Sequence, residues 1–223
     1  WDGIPGLADS VGKPGTGVVS NYSYETCEAT WQALQQFPKG GTALFTEPTM
    51  GVKCGGAPQK IMYLADDAFR RRGVRDGSRI GFMKAKGKLF SSRPYEETLY
   101  EIVERKGIEL HLMTELIEIK PDSKEAVFKN LESGEETTIE YDLLHVTPPM
   151  HAPDFIAESP LASEEGWVDV DSGTLQHNRY ENVFGIGDNS SLPTSKTGAA
   201  VRKQAPVLVD HLMATINHTT PIN

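Results

Sequence analysis

A chain of 223 residues with 38% hydrophobic and 24% charged residues is large enough to bury a core and does not have the composition of a disordered protein. Its formal net charge of −9 argues against nucleic acid as a partner, because phosphate binding requires a basic surface. No apolar run approaches the roughly 20 residues that cross a bilayer, and two cysteines are too few for a disulfide-rich secreted scaffold.

The first elements predicted from the sequence are a connecting segment, a helix and a strand. Residues 1–21 are rich in glycine, proline and serine, which is typical of a linker. Apolar residues at helical spacing run from Ser23 to Phe37, and Cys27 falls on the apolar side of this helix, where core packing is expected. The short apolar run at 42–46 predicts a buried strand.

Helices and strands then alternate. A helix is predicted at 57–72, a strand at 79–85 and a second helix at 93–106, which Gly107 would end. Alternating apolar and polar residues at 108–120 predict one further strand. This β-α-β-α-β order predicts a small Rossmann-like α/β unit with a parallel sheet.

The rest of the chain predicts an antiparallel layer and a C-terminal region of different character. A hairpin that turns at Ser133 and Gly134 leads into a strand that ends before Pro148. Beyond it, two short strands are predicted within 166–191, and one long helix is predicted from Ser195 onward. The predicted fold class is therefore α/β, with a parallel sheet and an antiparallel β-meander.

The turn between the strand at 42–46 and the next helix lacks the chemistry of a dinucleotide site. Gly51, Gly55 and Gly56 do not have the G-x-G-x-x-G spacing that holds a pyrophosphate. The following strand ends in lysines, whereas a ribose hydroxyl requires an acidic residue there. The topology therefore predicts a nicotinamide-type unit that does not bind NAD(P).

Cys54 lies in that turn and has two interpretations. Free N–H groups and a partial positive charge at the helix start, with Lys53 adjacent and Lys60 further along the helix, favour thiolate over thiol. Gly55 and Gly56 leave space around the sulfur, so one interpretation is a redox or nucleophilic cysteine. The other is a small buried hydrophobic residue in a loop, which is the more common role of a lone cysteine.

A second motif, NVFGIGDN at 182–189, places Gly187 and Asp188 at the end of an apolar strand. In flavoproteins with two dinucleotide-binding domains, a strand of this type ends in Gly-Asp, and the aspartate binds the ribityl chain of FAD. The helix after Ser195 would then direct its N-terminal dipole at the flavin, which stabilises negative charge on the reduced ring. The alternative interpretation is an ordinary Gly-Asp turn.

Seven segments occur in an order that is more specific than any single motif. They are SNYSYETCEATWQAL, VKCGGAPQKIMYL, EAVFKNL, LLHVTPPM, GWVDVD, TLQH and NVFGIGDNSSLPTSKT. Through them most of the chain resembles the sulfide:quinone oxidoreductases, flavoproteins of the pyridine nucleotide-disulfide oxidoreductase superfamily. Such enzymes oxidise sulfide with FAD and pass the electrons to a membrane quinone.

The resemblance implies roles for particular residues. Cys54, with Lys53 beside it, would be one of two redox cysteines and would take up sulfide sulfur as a persulfide. Gly187 and Asp188 would contact FAD. Four further residues would lie near the isoalloxazine, namely Ser195, Lys196, Thr197 and Gly198. A solvated lysine at a helix start is the alternative interpretation of Lys196.

Two departures from the family pattern matter. Where the relatives that this sequence most resembles have a second cysteine after GIGD, this chain has Asn189, and a disulfide relay needs two cysteine Cα atoms within about 7 Å. The chain is also expected to lack the FAD glycine fingerprint and the C-terminal membrane region. Residues 1–21 are thus interpreted as a linker or remnant of the FAD domain, 22–148 as nicotinamide-domain-like, and 149–223 as the C-terminal part of the FAD domain.

For the full-length protein, the resemblance implies sulfide and quinone as substrates and a peripheral position at an energy-transducing membrane. It leaves homo-oligomerisation open, and no metal spacing stands out. The segment alone is expected to be soluble, inactive and without FAD. The alternatives are a flavoprotein-like module that carries sulfane sulfur or senses redox state through Cys54, or an NADH:quinone-type dehydrogenase.

Overall fold

The structure, a computed structural model, describes residue 1, residues 3–49 and residues 52–222. The chain forms two compact units, an N-terminal unit, Trp1–Pro149, and a C-terminal unit, Met150–Asn223. The strands of the N-terminal unit are β1 (Val18–Val19), β2 (Thr42–Glu47), β3 (Arg79–Lys84), β4 (Glu109–Leu112), β5 (Thr114–Lys120), β6 (Glu125–Asn130), β7 (Glu136–Glu140) and β8 (Leu143–His145). Its helices are α1 (Tyr24–Gln36), α2 (Ala57–Arg71) and α3 (Arg93–Lys106).

A five-stranded parallel sheet with the order β1-β8-β2-β3-β4 forms the centre of the N-terminal unit. Alternate residues of β2 contribute to different apolar clusters, because successive side chains of a strand point to opposite faces. Ala43 and Phe45 pack with apolar residues of the three helices, whereas Leu44 packs with residues of β5 and β6. The antiparallel sheet β5-β6-β7 therefore covers the face opposite the helices. The predicted α/β class, with a parallel sheet and an antiparallel meander, is confirmed.

Helices α2 and α3 form where their sequences predict them. Pro58 lies in the first turn of α2, where its missing N–H costs little. The helix buries Ile61, Ala65 and Phe69 at helical spacing, and its last turn is basic. Helix α3 ends at Gly107, whose φ of 62° is left-handed and suits glycine.

The single strand predicted at 108–120 is wrong, because two strands occupy this range. Met113 has a φ of 52°, which is incompatible with a continuous extended strand. The chain changes sheets at this residue, so that β4 pairs with β3 in the parallel sheet and β5 pairs with β6 in the antiparallel one. Alternation of apolar residues continues across the break and therefore did not reveal it.

The prediction that Cys27 packs in the core is also wrong. The buried side of α1 carries Thr26, Thr30 and Leu34, which follow one another at four-residue steps. Cys27 and Trp31 lie one residue further around the helix and are exposed, Trp31 to 56%. The Thr26 and Thr30 hydroxyls can be buried because each bonds a backbone carbonyl.

Residues 1–21 are not a loose linker, since they are integrated into the N-terminal unit. Leu7 is fully buried in an apolar cluster that also contains residues of the antiparallel sheet. Val18 and Val19 form β1, which pairs in parallel with β8. The glycines and prolines of this segment predicted its turns, but they gave no indication that Val18 and Val19 form a strand of the sheet.

The C-terminal unit contains a short helix α4 (Asp154–Ala157), a 3₁₀ turn (Gly187–Asn189) and the long helix α5 (Gly198–Asn217). The prediction of two short strands within 166–191 is wrong, because this range forms isolated bridges such as Gln176 with Phe184. The small core of the unit comprises Ala152, Ile156, Trp167, Val168, Val170, Leu175 and Leu192. None of the helices in the described ranges has the length and apolarity that crossing a membrane requires.

Candidate functional site

The carboxyl ends of the parallel strands bring several polar side chains to one edge of the sheet. Ligands of open parallel sheets bind at this edge. Strand β2 ends in Glu47, β3 in Lys84 and β8 in His145, and all three residues are buried. The loop that leaves β2 at the same edge carries Cys54.

Cys54 precedes α2 and is half-buried rather than part of the core. Its φ of 61° is left-handed, a conformation that costs a side-chain-bearing residue about 1–2 kcal/mol. Its carbonyl accepts a hydrogen bond from the Ala57 N–H at 2.9 Å, and Gly56 begins the helix without a side-chain cap. A Cβ on Gly55 would meet no atom of the described residues within 4 Å, so these residues leave space beside the cysteine.

The basic residues around Cys54 differ in their surroundings. Lys53 is half-buried and makes an interaction of its own, whereas Lys60 is exposed on the first turns of α2. Gly51, one of the three glycines whose spacing does not match a dinucleotide fingerprint, lies outside the described residues. The predicted catalytic roles of Cys54 and Lys53 remain predictions, and the structure adds a strained, accessible position for the sulfur.

A buried ion cluster lies across the ends of β2 and β3. Glu47 and Lys84 are 2% and 4% exposed at their side chains and form an ion pair, and Lys86 reaches the same carboxylate at 3.2 Å. Burial lowers the pKa of Lys84, and the negative charge of Glu47 opposes this change. The lysines at the end of β3 were recognised from the sequence, whereas Glu47 was not. A sequence signal for this pair exists, because Glu47 ends one buried strand and Lys84 ends the next. Opposite charges at the ends of neighbouring parallel strands predict an ion pair.

The Gly-Asp turn of the C-terminal unit has the conformation that its sequence predicts. Gly187 has a φ of 74°, and a Cβ there would approach Val201 to 3.0 Å, so the position requires glycine. Its N–H donates to the Gln204 side chain at 3.0 Å. Asp188 is exposed and makes an interaction of its own. The Asn189 Oδ1 atom is buried and has no hydrogen-bond partner among the described residues.

The four residues predicted to lie near the flavin are at the start of α5. Thr197 caps the helix by accepting a hydrogen bond from the Ala200 N–H at 3.1 Å. Lys196 donates to the Ser190 carbonyl at 2.6 Å and lies 3.9 Å from the centroid of the Trp167 ring, so it is not a freely solvated lysine. Ser195 and Gly198 are exposed.

Comparison with known proteins assigns the chain to a family, although no protein-family model matches it. A mitochondrial sulfide:quinone oxidoreductase of Dictyostelium discoideum is 48% identical over 219 residues, which are 98% of this chain and 47% of that protein. The mitochondrial enzyme of the same name from Mus musculus is 48% identical over 223 residues, all of this chain and 49% of that protein. The chain belongs to the sulfide:quinone oxidoreductase family. It spans about half the length of the curated relatives that it matches.

Solved structures support the same fold. The sulfide:quinone oxidoreductase of Aquifex aeolicus aligns over 98% of this chain and 52% of its own, with a TM-score of 0.79 and 16% identity. A thioredoxin reductase of T. acidophilum aligns over 96% of this chain and 62% of its own, with a TM-score of 0.65 and 17% identity. At these identities the similarity shows the fold alone.

Two of the six histidines are buried, one in each unit. His145 is completely buried in β8, and burial lowers its pKa to about 4, so the ring is neutral near pH 7. His177 is buried in the C-terminal unit, where its ring bonds the Leu161 carbonyl at 3.1 Å. Within the described ranges, no three metal-ligating side chains form a group that could hold a metal ion.

Proposed function

We propose that the protein that contains this chain oxidises sulfide and passes the electrons to a quinone, with Cys54 as the residue that receives the sulfur. The observation that supports this most directly is the placement of Cys54, half-buried and strained at the carboxyl edge of the parallel sheet. The curated relatives are sulfide:quinone oxidoreductases by name, at 41–48% identity. A sulfur nucleophile at a helix start agrees with that chemistry.

The proposed reaction balances with a single cysteine. The Cys54 thiolate and hydrosulfide form one S–S bond and yield a cysteine persulfide anion, one proton and two electrons. The two electrons and two protons convert the quinone to its quinol, so that one further proton comes from solvent. Lys53 is proposed to favour the anionic forms of the sulfur by its charge.

FAD is the proposed electron carrier, and the C-terminal unit fits part of it. The first turn of α5 has no acidic residue, and a Cβ on Gly198 would meet no atom of the described ranges within 4 Å. An electron-rich ring can therefore approach the helix dipole. Asp188 would bind hydroxyls, and the buried Oδ1 of Asn189, which has no partner in the part of the chain that the structure describes, would accept a hydrogen bond. When bound, FAD accepts two electrons from sulfur and delivers them to the quinone.

The two units are proposed to correspond to the two dinucleotide-binding domains of such flavoproteins. The N-terminal unit would be the nicotinamide-type domain, and the C-terminal unit would be part of the FAD domain. Since the curated relatives are mitochondrial by name, we further propose a peripheral position of the full-length protein at the mitochondrial membrane. Binding of the isolated segment to a membrane or to FAD is not expected.

Replacement of the two cysteines tests this function. In the full-length protein, Cys54→Ser is expected to lower sulfide-dependent quinone reduction at least a hundredfold, because the oxygen cannot form the persulfide. Cys27→Ser is the matched control, since Cys27 is exposed on α1, and it should leave the rate unchanged. Undiminished quinone reduction by Cys54→Ser would disprove the proposal.

A second candidate function, a carrier of sulfane sulfur, is favoured by Asn189, which stands where the family pattern has a second cysteine. Its reaction is a transfer: the Cys54 thiolate takes the outer sulfur of a low-molecular-weight persulfide, and a thiol leaves. This step needs no electron acceptor. Persulfide formation on Cys54 from such a donor, together with no quinone reduction on addition of sulfide, would support the carrier. NADH oxidation by the full-length protein would instead favour the NADH:quinone-type alternative, which the lysines ending β3 disfavour.

A further inference from the structure

The turn that carries Cys54 has no side-chain cap to fix it. Cys54 has a left-handed φ of 61°, and Gly56, the N-cap of α2, offers no side chain to the free N–H groups of the first turn. Backbone hydrogen bonds join the turn to the helix, from the Ala57 N–H to the Cys54 carbonyl at 2.9 Å and from the Lys60 N–H to the Gly56 carbonyl at 3.0 Å. A strained residue keeps its conformation only when its surroundings hold it. The contacts of the first turn of α2 therefore influence where the sulfur lies.

Gln59 connects this first turn to the loop between β3 and α3. It is 3% exposed, and its Nε2 atom donates a hydrogen bond to the Leu89 carbonyl at 2.7 Å. Its Oε1 atom accepts a hydrogen bond from the Tyr63 hydroxyl at 3.2 Å, one turn further along α2. Both ends of the amide are engaged, which fixes its orientation. Leu89 is fully buried in the apolar cluster on the helix side of the parallel sheet, so Gln59 is attached to the core.

Glu96, in the first turn of α3, binds the same loop. Its Oε1 atom accepts hydrogen bonds from the Leu89 N–H at 2.8 Å and from the Phe90 N–H at 3.3 Å. Phe90 also packs near the N-cap of α2, because a Cβ on Gly56 would lie 3.9 Å from its ring. Leu89 thus bonds Glu96 through its N–H and Gln59 through its carbonyl. One short loop segment therefore joins the first turns of α2 and α3.

We propose that Gln59 and Glu96 are positioning residues for Cys54, because they hold the first turn of α2 against the loop at 89–90. This inference rests on the proposed function, since it concerns the residue that receives the sulfur there. The hydrogen bonds of both side chains go to the loop and to α2, so they act on Cys54 through the backbone. A displacement of about 1 Å at a reacting group can lower a rate roughly a hundredfold, so the position of one turn is sufficient to control the reaction.

Glu97 provides a matched control for Glu96. It is the next residue of α3, carries the same charge, and pairs with Arg93 at 3.1 Å on the exposed surface of the helix. Glu96→Ala and Glu97→Ala therefore remove the same charge from the same turn, but only Glu96→Ala removes the acceptor of the loop N–H groups. Glu96→Gln keeps a side-chain oxygen that can accept both hydrogen bonds, so it separates the geometry of the contact from its charge.

The first measurement is amide hydrogen exchange of the peptide that contains residues 54–60, in the full-length protein. Glu96→Ala and Gln59→Leu are each expected to accelerate its exchange about tenfold, because each leaves a backbone group of buried Leu89 without a partner and loosens the turn. Glu97→Ala and Glu96→Gln should leave the exchange rate unchanged. Peptides of α1 should exchange at the wild-type rate in every variant, which shows that the fold is intact.

The second measurement is the kcat of sulfide-dependent quinone reduction in the same variants. Glu96→Ala and Gln59→Leu should lower kcat about tenfold or more, because the sulfur is no longer held in the reactive position. Glu96→Gln should restore the wild-type value, and Glu97→Ala should not change it. A role in stability alone would not lower the kcat of a variant whose α1 peptides exchange normally.

Unchanged exchange of the 54–60 peptide in Glu96→Ala and Gln59→Leu, or faster exchange with an unchanged kcat, would overturn the inference. An equal loss of kcat in Glu97→Ala would also contradict it. If Glu96→Ala does not fold, Gln59→Leu carries both measurements. Quinone reduction that persists in Cys54→Ser, or no turnover of sulfide in the wild type, would refute the proposed function, and exchange of the 54–60 peptide would still decide whether these contacts hold the turn.

Discussion

The N-terminal and C-terminal units are stabilised in different ways. The N-terminal unit has two sheets and two apolar clusters, one on each face of the parallel sheet. The C-terminal unit has one small apolar cluster and isolated bridges, and α5 buries only Ala214 of its 20 residues. The difference teaches that the N-terminal unit is stabilised by two large apolar clusters, whereas the C-terminal unit combines one small cluster with local caps and turns.

The largest expected effect concerns the buried ion cluster of the N-terminal unit. Glu47→Leu should lower the free energy of unfolding of this unit by about 3–5 kcal/mol, because it leaves the buried Lys84 ammonium without its partner. Urea titration followed by hydrogen-exchange mass spectrometry measures the loss in each unit separately. Peptides of the C-terminal unit should exchange at unchanged rates.

Two variants control this prediction. Glu47→Leu combined with Lys84→Leu should recover most of the lost stability, because neither buried charge of this pair then remains. Arg79→Ala breaks a half-exposed pair with Glu109 in the same sheet and should cost less than about 1 kcal/mol. Equal losses in Glu47→Leu and Arg79→Ala would show that burial of the cluster does not matter.

A smaller effect is expected from the pH dependence of stability through His145. Burial lowers its pKa from 6.5 to about 4, so between these values the unfolded chain binds more protons than the folded chain. Stability from this group is present above pH 6.5 and is lost as the pH falls towards 4. From pH 7 to pH 5 the N-terminal unit should lose about 2 kcal/mol from this cause.

His145→Phe keeps a ring against Phe45, whose centroid lies 5.8 Å from that of His145, and removes the titration. The fall in unfolding free energy between pH 7 and pH 5, measured by urea denaturation, should therefore shrink by about 2 kcal/mol. His111→Gln, at a half-exposed position, should not change it. An identical slope in the wild type and His145→Phe would contradict the assignment.

The smallest effect is expected in the C-terminal unit. Thr197→Ala removes the side chain that caps α5 and should cost about 1 kcal/mol, which corresponds to roughly fivefold faster amide exchange in its first turns. Ser92→Ala at the start of α3 is the control, because the Ser92 side chain makes no capping hydrogen bond. If both variants accelerate exchange equally, the C-terminal unit does not depend on this cap.

The sequence predicted the features of the site that depend on residues close together in the chain. Pro58, the basic last turn and the apolar spacing identified α2, and the position of Cys54 at its start followed from them. The φ of Gly187 followed from its place in a Gly-Asp turn. Met113 shows the opposite case, because apolar alternation does not report a left-handed residue at which the chain moves to another sheet.

The sequence by itself determined the α/β class, the family segments and the cysteine at the strand-to-helix turn, because periodicity, turn chemistry and motif order act over a few residues. Only the tertiary structure decided which side of α1 is buried, and that Val18–Val19 completes the sheet. It also decided that Glu47 meets Lys84 at the carboxyl ends of β2 and β3. These contacts join residues far apart in the chain, and strand order, which no local pattern records, brings them together.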